Sequence, residues 1–192
     1  MQTRMLYEED VPQAAGVARG IFDNCVRNTI QDSQLSKLTE EYLSVSNLIT
    51  MMRAGQLFLW GTFENGQMVG VGGMQQEGHI TMLYVFPYYQ RLGIGRTLVK
   101  EMRSYAAASL QKPRVTLNAM PPVVAGYFRR IGFEPIDMTQ NGSGPFISMV
   151  SKMEECMTYP VKKLGDKAVI GIVFGFLAVI FLVAIGFMLT LM

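Results

Sequence analysis

The sequence predicts a mixed α/β domain, a mostly antiparallel sheet flanked by helices, followed by one transmembrane helix. Three observations predict it. Turn pairs at Asn65-Gly66 and Glu77-Gly78 join runs of strand character at 57–64, 67–75 and 79–86 into a meander. A helical apolar spacing at 97–110 then separates the last of these from a further strand at 114–118, which requires a crossover. Residues 168–192 hold no charged side chain at all.

The elements follow in chain order. Residues 2–7 have strand character. Asp10, two neighbouring glutamates and Pro12 read as a helix start, because acids and proline suit the first turn. Ala14, Ala15, Val17, Ala18, Ile21 and Phe22 then recur at helical spacing. Residues 24–36 are polar and irregular, a loop. A second helix is expected over 39–52 with Leu43, Leu48, Ile49 and Met52 apolar, ending near Gly55. Asn65-Gly66 favours a type I′ turn, since both residues tolerate positive φ. Pro121-Pro122 opens a helix over 123–131, stopped by Gly132. Strands at 133–136 and 146–152 complete the sheet, with Asn141-Gly142-Ser143-Gly144 between them.

The charge is located as well as counted. The chain has 192 residues and a net charge of +2. Lysines and arginines balance aspartates and glutamates up to Met157, so the excess comes from Lys162, Lys163 and Lys167. A nucleic-acid-binding domain would need a basic face on the folded body, so this class is excluded. Cys25, Cys156 and the single His79 have no metal-ligand spacing, so no metal is expected. The first ten residues contain Arg4, Glu8, Glu9 and Asp10 and no apolar core of a signal peptide. As a helix, 168–192 would be about 37 Å long, against roughly 30 Å of bilayer hydrocarbon. The three lysines precede it, so the body should face the cytoplasm and the tail should cross, a tail-anchored arrangement touching membrane lipid. Gly171 and Gly175 form G-x-x-x-G, a spacing that lets two spans pack as a homodimer; glycine is also simply common in spans. The domain expectation is therefore 1–153 for the body, 154–167 for a juxtamembrane linker containing Pro160, and 168–192 for the span.

The most informative stretch is 88–96, Y-Y-Q-R-L-G-I-G-R, between a strand and a helix. The first N–H groups of a helix lack partners, and its dipole adds positive potential there, so this is an anion site. Gly93 and Gly95 let a phosphate approach the backbone, and Arg91 and Arg96 add charge. The segment is neither G-x-G-x-x-G nor a P-loop. Gln90-Arg91-Leu92-Gly93-Ile94-Gly95 instead matches [QR]-x-x-G-x-[GA] and resembles the pyrophosphate-binding segment of the GNAT superfamily of acyl-CoA-dependent N-acyltransferases. Leu83-Tyr84-Val85-Phe86-Pro87 is similar to that family's pantetheine-pairing strand. A-G-Y-F-R-R-I-G-F at 125–133 is similar to its helix ending in G-F. The resemblance covers roughly 1–153.

It implies a GNAT fold and acetyl-CoA as co-substrate, with the pantetheine arm in a gap between splayed strands. Leu83, Tyr84 and Val85 would then meet pantetheine, Gln90 through Arg96 (with Leu92 and Ile94) would hold pyrophosphate, and Asn118 would line the gap. The implied reaction is acetyl transfer to an amine, either a small molecule or a protein lysine or N-terminus, at the cytoplasmic face of a membrane. Asp23, Asp32 and Asp137 are the obvious amine partners in the segments that line the acceptor pocket of that fold. The attacking amine must lose a proton. His79 stands eleven residues before Gln90, where several relatives carry a Glu base, and a neutral imidazole suits that task. Glu77 is the substitute if His79 merely packs. For the acid, many relatives have a Tyr where this chain has Phe128; Tyr127 is its neighbour, about 100° around the helix. Some relatives work without that Tyr, so Tyr127 or no acid both stay open. A non-catalytic, membrane-tethered acyl-CoA sensor is the alternative function.

Overall fold

A computed structural model of the chain describes residues 1–29, 33–136 and 146–152. The expected linker, the span at 168–192 and its Gly171/Gly175 pair lie outside the described residues, as do Asp32 and Asp137. Among the described residues no helix is long and apolar enough to cross a membrane.

The strands are β1 (Gln2–Met5), β2 (Leu57–Glu64), β3 (Gln67–Gln75), β4 (His79–Val85), β5 (Thr116–Ala119), β6 (Phe133–Pro135) and β7 (Ile147–Ser151). The helices are α1 (Val11–Ile21), α2 (Ser33–Tyr42), α3 (Val45–Arg53), α4 (Ile94–Ala108) and α5 (Ala125–Arg130). All seven strands join one sheet in the order β1-β2-β3-β4-β5-β7-β6. Only β4 and β5 are parallel, because α4 carries the chain across between them. The other neighbours are antiparallel. Asn65 and Gly66 both take positive φ, 50° and 79°, as the hairpin turn requires.

Each face of the sheet has its own core. Leu98, Val99 and Met102 of α4 pack with Ile80, Leu117, Phe128 and Phe133 on one face. Ala14, Ala18 and Ile21 of α1 pack with Phe22, Leu48 of α3, Val71 and Met82 on the other.

Two expectations need correction. The single helix over 39–52 is two helices. Ser44 has extended dihedrals, and its hydroxyl accepts from the Asn47 N–H at 3.3 Å, so it caps α3 and breaks the run. The loop expected over 24–36 is partly helical: a π turn at Phe22–Val26 and a 3₁₀ turn at Arg27–Thr29 follow α1, and α2 begins at Ser33. Asp10 also acts differently from a simple cap of α1. Its carboxylate accepts from the Tyr7 N–H at 2.9 Å and from Arg4 at 2.8 Å, tying β1 to the helix start.

A bulge in β4 sets up the site. Gly73 pairs with Met82, yet Met74 pairs with Ile80, so Thr81 is the extra residue. Thr81 and Met82 both turn to the α1 face: Tyr42 Oη of α2 donates to Thr81 Oγ1 at 2.7 Å, and Met82 joins the α1 core. Beyond the bulge, Leu83 and Val85 pack against the α4 core, and Tyr84 against the α1 core.

Candidate active site

The parallel pairing of β4 and β5 lasts for two residues, His79↔Thr116 and Ile80↔Leu117. After that β5 stays paired with β7, and β4 stays paired with β3 as far as Val85. The strands therefore splay. Phe86 N–H donates to Val69 O on the β3 side. By strand alternation the amide groups of Val85 and Leu83 face the opposite edge, into the splay. The Tyr84 backbone faces β3, in register with Val71. One of the open groups is partly engaged, because Gln90 Nε2 donates to Val85 O at 3.1 Å and so pins the following turn to the end of β4. A carbonyl has two lone pairs, so Val85 O keeps room for a second donor.

The turn then leads into α4. Arg91 takes φ 62° and Gly93 takes φ 85°, and Gly93 is the residue from which α4 starts. A Cβ on Gly93 would meet nothing within 4 Å, so its need for glycine is conformational and the space above it is open. Ile94 is buried and anchors the helix, whereas Arg91, Leu92 and Arg96 are exposed. Among the described residues neither Arg91 nor Arg96 pairs with a carboxylate. Exposed N–H groups, a positive dipole end and two unpaired guanidiniums make a site for a phosphate group.

Gly95 has a different reason for lacking a side chain. A Cβ there would stand 2.6 Å from Tyr127 Oη. Phosphate access alone, the sequence-based reason, therefore does not describe this glycine. Tyr127 is half-buried, and burial pushes its hydroxyl pKa up, opposed by Arg96 and Arg130. Phe128, at the position where relatives were expected to carry the acid, is buried against Phe133.

His79 sits at the vertex of the splay. Its Nδ1 lies 2.8 Å from Thr116 Oγ1. The ring is half-buried, and burial pushes its pKa down, while the Glu77 charge raises it. Glu77 itself is exposed and lines a separate hollow with Gly55, Phe58, Ser109 and Lys112. Ile80 belongs to the α4 core, so His79 lies on the α1 face, as does Thr116. Asn118 shares that face two residues on; it is exposed, and its Oδ1 accepts from Ser148 Oγ at 2.9 Å. Asp23 is engaged by Arg27, which also pairs with Glu40.

The structure thus brings Leu83, Val85 and the 90–96 turn together along one line, and puts His79 where the gap opens. Sequence reasoning missed Thr116, Thr81 and Tyr42. Their roles depend on register and on a bulge, which no local pattern signals. Among the described residues no cluster of three or more His, Cys, Asp or Glu could hold a metal ion.

A family model described as an acetyltransferase (GNAT) domain matches residues 13–153. The chain belongs to that family and is an acetyl-CoA-dependent acetyltransferase acting on an amine. Solved structures agree on the fold. The PaiA N-acetyltransferase of Thermoplasma acidophilum, in complex with coenzyme A, is 19% identical with a TM-score of 0.65, over 79% of this chain and 99% of that one. A GCN5-related N-acetyltransferase of Rhodopseudomonas palustris is also 19% identical, at 0.64, over 79% and 94%. The yncA protein of Salmonella typhimurium, solved with its cofactor acetyl-CoA, is 15% identical, at 0.57, over 81% and 95%. No curated protein matches the chain.

The residues present fit such a cofactor. Open amide groups on Leu83 and Val85 suit pantetheine amides, and the left-handed, uncrowded turn at Gly93 with Arg91 and Arg96 suits the pyrophosphate.

Proposed function

We propose that this protein transfers an acetyl group from acetyl-CoA to an amine at the cytoplasmic face of a membrane, with His79 as general base. The carrying observation is the position of His79, held by Thr116 at the point where β4 and β5 part. Acetyl-CoA supplies an acyl carbon activated as a thioester. With Nδ1–H donating to Thr116 Oγ1, Nε2 of His79 keeps its lone pair and takes the proton of the attacking amine. Burial lowers the pKa of His79, which keeps the ring neutral for that task. The Leu83 N–H also faces the splay, nearer to His79 than that of Val85, as a donor toward the charge that develops on the acyl oxygen. The leaving thiol, with an ordinary pKa of about 8.5, needs little acid help.

The test uses the full-length chain in detergent micelles with acetyl-CoA and a panel of small amines, peptides and polyamines, followed by free-thiol release. Release above background hydrolysis with any acceptor supports the reading and names the acceptor class. Silence across the panel, with acetyl-CoA still raising the melting temperature, would turn the reading toward an acyl-CoA sensor.

The membrane part rests on the uncharged run at 168–192 and the preceding Lys162, Lys163 and Lys167. The full-length chain should stay in the membrane pellet through an alkaline carbonate wash, with residues 1–153 open to protease from the cytoplasmic side. Recovery in the wash would end the membrane reading and leave the chemistry untouched.

A further inference from the structure

Tyr127 carries a hydroxyl that acetyl transfer, as derived above, does not use. Its Oη is buried, and among the described residues no protein group hydrogen-bonds it. A buried hydroxyl without a partner is costly, so a fold that keeps one points to a ligand that satisfies it. The oxygen stands 2.6 Å from where a Cβ on Gly95 would be, and Leu83 Cδ2 is 3.9 Å from the same point. Gly95 is the second residue of α4. The phenol therefore sits over the first turn of that helix, beside the side chain of Leu83, on the α4 face of the sheet.

That location is with the turn and not with the base. His79 lies four residues back along β4 from Leu83, about 13 Å at strand spacing, and on the opposite face. Arg96 and Arg130 are both close enough to act on the Tyr127 hydroxyl. A phenol at the first turn of α4, within the electrostatic reach of two arginines, is placed where an acceptor-rich anion can accept its hydrogen bond.

We propose that the Tyr127 hydroxyl donates a hydrogen bond to a phosphate oxygen of the cofactor, and so is a cofactor-binding residue and not the acid that protonates the leaving sulfur. This rests on the reading of the 90–96 turn as the pyrophosphate site. It also gives Gly95 a second role, since any side chain there would displace the phenol.

Tyr127→Phe keeps the ring and deletes only the hydroxyl. Calorimetry on the full-length chain should compare coenzyme A with pantetheine, which has the same arm and no phosphates. The variant should bind coenzyme A roughly tenfold or more weakly, the scale of a hydrogen bond to a charged group. Its affinity for pantetheine, read by competition, should stay within about twofold of wild type. Unchanged affinity for coenzyme A overturns the proposal, and so does an equal loss for both ligands, which would place the phenol on the arm or the sulfur. Wild-type protein that fails to bind coenzyme A would overturn the pyrophosphate site itself, a distinct result. The ligand-free variant should melt no lower than the wild type, because it loses only an unpartnered hydroxyl, which separates lost contact from lost fold.

Discussion

Along its β3 edge β4 is paired from Ile80 to Val85, with glycines at positions 70, 72 and 73 of the facing strand. Along its β5 edge only His79 and Ile80 are paired. The closed edge is crowded. A Cβ on Gly73 would stand 2.7 Å from Met82 Cγ and 3.0 Å from Leu59 Cδ2, and one on Gly72 would meet Met102 Cε at 3.0 Å. The open edge begins at a histidine with one hydroxyl partner and continues as free backbone. One strand thus keeps stability and chemistry on opposite edges. Backbone hydrogen bonds that a sheet would ordinarily use for itself are left for a ligand on one side only.

This contrast predicts which substitutions change turnover and which change folding. The largest effect is expected at the open edge. His79→Ala should lower kcat by ~10²-fold or more, while coenzyme A affinity and melting temperature change little. A variant that loses stability but keeps its turnover would make His79 a packing residue. Next comes the closed edge. Gly73→Val should cost about 1–3 kcal/mol through overpacking, lowering the melting temperature by roughly 2–12 °C in a domain of this size. Turnover per folded molecule should be unchanged, and a fall in kcat without a fall in stability would erase the distinction between the edges.

Gly93→Ala tests the turn. The space is open, so only the left-handed φ of 85° is strained, at about 1 kcal/mol or slightly more. Coenzyme A affinity should fall with it, and unaltered binding in calorimetry would dissociate this glycine from the anion site. The smallest effect sharpens the role of the vertex. Burial lowers the His79 pKa below the usual value of about 6.5. The neutral ring is the active form, so kcat/KM should be level above neutrality and fall on the acid side with a midpoint below 6.5. The same direction means that the unfolded chain takes up the proton first. The stability contributed by neutral His79 is therefore present above about pH 6.5 and lost as pH falls through the folded value. Thr116→Val should move that acid limb and lower kcat severalfold, and Thr116→Ser should restore both. A pH profile identical in all three would mean that the Thr116 hydroxyl does not position the ring.

Much of this arrangement is readable from residues alone. Asn65-Gly66 needs positive φ at two positions, so the β2–β3 turn announces itself, and both strands run over the expected ranges. The glycines and arginines of 90–96 similarly state a local need for unusual dihedrals and positive charge. The break at Ser44 was hidden because Leu43 and Leu48 continue an apolar helical spacing through it; one hydroxyl bond to the Asn47 N–H outweighs the pattern. The side-chain direction of Tyr127 was hidden for another reason. The order Tyr127-Phe128 is local, but which of the two rings enters the core depends on where α4 and β6 lie. Thr116 could be joined to His79 only through the register of two strands 37 residues apart.

Thr81, the added residue in β4, has a consequence for phase. Side chains of a strand alternate, so the strand can be read in one of two frames. Upstream of Thr81, Ile80 faces α4 and His79 faces away; downstream, Leu83 and Val85 face α4. These two assignments belong to different frames, and the bulge is the point where the chain changes from one to the other. A strand with the same residues but no bulge, its downstream half held by β3 and α4, would rotate His79 to the α4 side and turn Ile80 away from it. The eleven-residue interval from His79 to Gln90 is therefore a phase relation as much as a distance. It aligns the proton acceptor with one face of the sheet while the cofactor turn is built on the other.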